Sequence, residues 1–251
     1  ESTAAPAKIP LREALRNARH APSLAELSGQ ARTKALEERR TVFEAAARTL
    51  KSEERVPAFR NAGQHLVLSC HATSEQNAAV DLLMYEMQGL VKHMTPQQRQ
   101  EALRVAQDPL GSSESVTHTD QIRRRMQLVS LYQPLDQAAR EAELAAARRA
   151  ADLFDMDEDL LNETLHMRAE QFAAHAFLMS PEQRRAEMVR LREPGRLVHM
   201  EGEALRRALR LQAAQYWGLM RYIVGDELQA ERAAALHMPQ ALQEMGDAAW
   251  Q

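Results

Sequence analysis

Cys70, the single cysteine of the chain, stands in HLVLSCHATSEQNAA just before a run of helix formers that Thr73 or Ser74 can cap. A thiol ahead of a helix N-terminus, with His71 beside it, can have its pKa lowered and act as a nucleophile. The same residue can equally pack as a small hydrophobe, and a lone cysteine without named partners favours that role. A second candidate is NETLHMRAE, where Glu163 and His166 form an E-x-x-H pair on one helical face and Glu170 follows a turn later. A carboxylate-bridged metal pair in a helical bundle needs two such motifs and two further glutamates. No second E-x-x-H occurs, so neither a metal site nor a cofactor is expected. His175 and His199 are isolated and read as ordinary helix residues. No phosphate-loop, dinucleotide, nucleophile-elbow or C-x-x-C motif is present. Arg55, Arg99 and Arg184 share one position of a recurring motif and either line a groove for anions or reach acidic neighbours and backbone carbonyls. The second use is expected, and the sequence leaves binding residues unassigned.

That motif decides how these residues are positioned. VKHMTPQQRQEAL (91–103) returns as AFLMSPEQRRAEM (176–188). Thr95 and Ser180 fit N-cap positions, Pro96 and Pro181 fit the first helical position, and Gln98 and Gln183 complete capping boxes. Fainter copies place helix starts near 10, 52, 134 and 226. A spacing of about 43 residues is the size of HEAT or armadillo hairpins. Between the starts run apolar stripes: Val80, Leu83, Met87, Leu90 and Met94; Leu144, Ala147, Ala151 and Phe154; Leu205, Leu209, Ala213, Tyr216, Met220 and Ile223. The sequence therefore predicts an all-α fold of helical hairpins, stacked as a solenoid or gathered into a two-lobed helical bundle. The one Gly/Ser-rich interruption, DPLGSSESVTHTD (108–120), suggests lobes at 1–110 and 111–251.

Composition agrees. Apolar residues make up 45%, charged residues 27%, and only nine Gly and ten Pro interrupt strong helix formers. A net charge of -3 and an aromatic content of 4% argue against a nucleic-acid partner, since neither a basic field nor a stacking platform is available. The Arg123-Arg124-Arg125 run reads as part of a solvated helix start. No apolar run is long enough to span a membrane. One cysteine excludes an internal disulfide and suits a reducing compartment. The basic residues comprise 28 arginines against four lysines.

Ala/Arg-rich hairpin repeats with this apolar–x–Pro–x–x–Arg helix start resemble the helical regions of type III secretion effectors of plant-associated bacteria. The resemblance implies a virulence protein secreted into the host-cell cytoplasm, where it binds host proteins and interferes with immune signalling. A narrower likeness runs through Arg55, Phe59 and Cys70, which resemble the Arg-x-x-x-Phe helix and cysteine of the bacterial novel E3 ubiquitin ligase domains. That likeness implies Cys70 as the acceptor of ubiquitin from a ubiquitin-conjugating enzyme. The family carries Cys-x-Asp, whereas His71 and Ala72 follow Cys70 here. Cys70 is accordingly expected to be structural.

Overall fold

A computed structural model describes residues 11–64, 66, 73–108, 117–192, 197 and 199–235, and Cys70 and His71 lie outside them. Among the described residues the chain is all-helical, with twelve α-helices and no strand. In chain order these are α1 (Leu11–Ala18), α2 (Ala21–Ala25), α3 (Gly29–Thr49), α4 (Ser52–Asn61), α5 (Thr73–Lys92), α6 (Pro96–Ala106), α7 (His118–Tyr132), α8 (Gln137–Ala147), α9 (Glu158–Leu178), α10 (Pro181–Arg192), α11 (Gly202–Met220) and α12 (Asp226–Ala235). One 3-10 turn, Ala151–Leu153, lies between α8 and α9. From α3 onward long and short helices alternate in five pairs. The long ones begin at 29, 73, 118, 158 and 202, the short ones at 52, 96, 137, 181 and 226.

The capping boxes are formed. The Thr95 backbone N–H donates to Gln98 Oε1 at 3.0 Å while the Gln98 N–H donates to Thr95 Oγ1 at 3.2 Å. Ser180 and Gln183 repeat the exchange at 2.8 and 3.3 Å. Each box satisfies donors that the first helical turn leaves without intrahelical partners. Thr117 and Asp120 form a third box at the start of α7, which the motif search missed because Asp replaces Gln. Gly225, at φ +61°, takes the left-handed conformation that turns the chain into α12.

Two expectations shift. Pro134 lies in the turn before α8, and the cap is Asp136, whose side chain accepts from the Ala139 N–H at 2.8 Å. A carboxylate oxygen at the right backbone angle outranks proline as a helix starter. The stripe from Leu144 to Phe154 also breaks. α8 ends at Ala147, Ala151 is exposed, and Leu153 fills the core in its place.

By contact the chain divides into two compact units, Glu1–Arg104 with Thr117–Leu131, and Val105–Val116 with Tyr132–Gln251. In the first, α5 is central and packs on α2, α3 and α4, while α1 lies on α3. Its core joins Leu24, Phe43, Ala78, Ala79 and Leu82. In the second, α9 packs on α8 and α11, and α10 packs on α11. Phe172, Met188, Leu191 and Leu219 form one core cluster there, and Leu153, Leu161, Leu165 and Leu211 form another. Each such side chain contributes about 1.5–3 kcal/mol when fully buried.

Long helices close on each other at glycines. A Cβ on Gly89 in α5 would stand 3.3 Å from the Glu44 nitrogen and the Phe43 carbonyl carbon of α3. On Gly218 in α11 it would stand 2.6 Å from the Ala169 oxygen and 2.8 Å from the Ala173 nitrogen of α9.

Candidate functional site

The alanine run of α8 stops where Arg148 takes the C-cap, its N–H returning to carbonyls of the last turn. The chain then bends through Arg149 and Ala150 into the 3-10 turn, anchored by fully buried Leu153. Two guanidinium groups therefore leave the chain at one corner of the second unit. α10 brings Glu187, Arg190 and Leu191 to the same place, and α11 brings Leu211, Gln212 and Gln215. All of these except Glu187, which stands behind the wall, line a groove of about 250 Å³ with an apolar floor.

Glu187 is the hub. Its carboxylate accepts from Arg148 Nε at 3.1 Å and from Arg190 Nε at 2.9 Å, and both Nη2 atoms come closer still. Burial pushes this carboxyl up, but the hydrogen bonds from Arg190 and Arg148 and their charges prevail and hold it below the usual range. Asp152 plays the same part beside it, 3.3 Å from Arg168 and 3.8 Å from Arg149. Four guanidiniums thus share two carboxylates. Gln212 Nε2 donates to the Leu191 carbonyl, and its Oε1 is buried without a partner among the described residues.

Behind this corner lies His175, 4% exposed and stacked on Tyr132 with ring centroids 4.3 Å apart and planes 18° from parallel. Burial, assisted by the charges of Arg148 and Arg140 against that of Glu187, lowers its pKa to about 4. The imidazole is neutral at pH 7, and its Nε2 is buried without a partner among the described residues. Burial likewise pushes the Tyr132 hydroxyl up; that hydroxyl accepts from Gln107 Nε2 at 3.1 Å. The pair is too enclosed and too strongly neutral to exchange protons with a substrate near pH 7.

The residues singled out by sequence are dispersed. Glu163, His166 and Glu170 line up along α9, but His166 is exposed and buried Glu170 accepts from Arg221 Nη1 at 2.7 Å. Among the described residues no three His, Cys, Asp or Glu side chains group as a metal site. His199 is exposed in the turn before α11, outside any helix. Arg55 and Arg184 reach carbonyls as expected. Arg184 Nη1 donates to Ala176 at 3.0 Å and Met179 at 2.7 Å, at the end of α9. Arg55 donates to His93 at the end of α5 and to Leu50 at the end of α3. Arg99 holds the same register in α6. Helix C-termini expose unpaired carbonyls with partial negative charge, which a forked cation satisfies. Phe59, which carries the ligase likeness together with Arg55 and Cys70, is 2% exposed in the first unit.

Sequence reasoning missed the groove because its parts come from three elements some 20 to 65 residues apart, and no local pattern joins them. Among the described residues no helix is long and apolar enough to cross a membrane. No family model, curated protein or solved structure matches the chain.

Proposed function

We infer that this chain is a protein-binding module of the secreted-effector kind, delivered by a type III system into the host cytoplasm, where it engages a host protein of immune signalling. The reading builds its surface from hairpins of about 43 residues stacked in register. Its main support is the alternation of five long and five short helices, begun by the same capping device at α6 and α10. Repeated helix pairs offer broad, rigid faces, and such faces suit a macromolecular partner better than a small substrate. The arginine-lined groove of the second unit supplies a fixed, charged feature on one of them.

Expression in host cells tests this reading. The chain should be recovered in a complex of discrete mass that reassembles from purified components, and the immune oxidative burst should fall. A chain that stays at 28.3 kDa in every fraction and leaves the burst unchanged refutes it. Incubation with ubiquitin, activating enzyme and a panel of conjugating enzymes tests the ligase alternative. Chain formation lost in a folded Cys70→Ala variant would make the protein an enzyme of ubiquitin transfer.

A further inference from the structure

We propose that the groove between the α8 corner, α10 and α11 is the anchor site for a partner segment that places a carboxylate beside an aliphatic side chain. The inference rests on the protein-binding reading and names what that surface takes. Charge comes first. Arg148, Arg149 and Arg190 all line the groove, and no acidic residue lines it among the described ones. Counting the groups just behind the wall, the four guanidiniums of Arg148, Arg149, Arg168 and Arg190 face three carboxylates among the described residues, Glu187, Asp152 and, acting on Arg168, Glu143, which leaves positive charge in excess at the mouth.

Preorganisation comes second. Glu187 holds Arg148 and Arg190 through Nε and Nη2, so both planar forks are fixed before any ligand arrives. Their Nη1 atoms have no partner among the described residues. Guanidiniums held this way bind a carboxylate with less ordering cost than free surface side chains.

The third observation separates a peptide from a simple anion. Gln212 Oε1 is a buried acceptor without a donor, and a buried acceptor left unpaired costs free energy. Inorganic phosphate brings it no more than one or two O–H groups on a small ion, whereas a peptide seated along the groove brings a row of backbone N–H groups. Leu191, Leu211 and Ala208 supply an apolar floor for the adjoining side chain. At about 250 Å³ the groove is smaller than the roughly 300–1,000 Å³ of small-molecule sites, which suits one or two anchoring side chains of a larger partner.

The test follows the arginine Nε–H signals of the whole chain by NMR during titration with acetyl-Leu-Glu-Leu-amide, its Gln counterpart, and inorganic phosphate. The Glu peptide should move the signals of Arg148, Arg149 and Arg190 saturably and bind about tenfold more tightly than the Gln peptide, the gain of one good charge pair. Arg149→Glu, at a side chain 65% exposed, should weaken binding severalfold without changing the melting temperature. Gln212→Leu should weaken both peptides more than it weakens phosphate. No shift at millimolar peptide overturns the proposal, as does phosphate matching the Glu peptide, which would mark a small-anion site. A host partner that binds Arg149→Glu as tightly as the unaltered chain also overturns it, while the protein-binding reading survives. Peptide binding with no host partner reverses that outcome.

Discussion

The two units solve the same packing problem at different closeness. In the first, Gly89 lets α5 approach α3 to a distance at which an added methyl is merely tight; in the second, Gly218 lets α11 approach α9 until the backbones touch. Polar burial differs too. α9 buries Thr164, Glu170, Gln171 and His175, and Glu187 and Gln215 join them from neighbouring helices. α5 buries one charged residue, Glu86, which Arg19 neutralises. Buried polar groups tolerate few alternative arrangements, because each displacement strands a donor or acceptor. The difference teaches that the second unit is the more exacting structure, and the arginine-lined groove lies among those same buried groups.

The sharpest way to break this comparison is alanine at both glycines. Gly218→Ala drives a methyl into the α9 backbone and should cost about 3 kcal/mol. At Gly89 the crowding is milder and alanine's better helix propensity, worth about 1 kcal/mol, offsets it. Urea midpoints that fall equally for both variants would erase the distinction. Trp217 lies in α11 of the second unit, so its fluorescence reads that unit.

Acid gives a comparable effect. The unfolded chain protonates His175 near 6.5, whereas the folded chain resists until about 4. Unfolded molecules therefore bind the extra proton throughout that window, and stability falls as pH drops through it by about 3 kcal/mol. Above pH 6.5 this contribution is flat. In the first unit burial also lowers the pKa of His93, which is only half-buried, so its slope should be shallower. His175→Phe keeps the stacking on Tyr132 and should flatten the tryptophan-detected slope. A slope that survives the substitution assigns the acid sensitivity elsewhere.

Smaller effects sharpen the comparison at the joints. Arg184→Met removes two charged hydrogen bonds to the end of α9 and should cost about 2 kcal/mol in thermal or urea unfolding. Ser180→Ala and Thr95→Ala should each cost about 1 kcal/mol. Gln98 and Gln183 then separate the two boxes. Gln98 Nε2 also donates to the Ser52 carbonyl at 2.6 Å and to its hydroxyl at 3.0 Å, tying the starts of α6 and α4. Gln98→Ala should therefore cost more than Gln183→Ala by about 1 kcal/mol. Equal costs would mean that the tie contributes nothing.

Much of the fold was legible because helix initiation is local. Thr95, Ser180 and Asp226 announce their helices within four residues, and the starts at 52, 96, 181 and 226 fall where the motif puts them. The buried face of α11 was harder. Its buried row runs through Ala208, Leu211, Gln215 and Gly218 with Leu209 and Leu219 beside it, and neither glutamine nor glycine registers as apolar, so periodicity picked a row that holds buried Leu209 and Ile223 but otherwise half-buried Leu205, Ala213, Tyr216 and Met220. The groove was illegible for a related reason. Glu187 and Arg190 meet at the ordinary i,i+3 helical spacing, but no spacing rule brings Arg148 to them from 39 positions away, and the groove exists only once it is there.

Arg55, Arg168, Arg184 and Arg207 fasten element ends to carbonyls of other elements, Arg207 holding Leu153 and Met156 at 2.6 Å each. A guanidinium keeps its proton at any pH a folded protein tolerates. Acidification consequently has no purchase on these fastenings, while it charges the imidazole enclosed against Tyr132. The expected acid form of the second unit is a tethered, loosened state. Its far-UV dichroism would persist because the helix ends stay pinned, its near-UV signal would fade as the aromatic stack opens, and neutralisation would restore the original packing without a search among alternative helix arrangements.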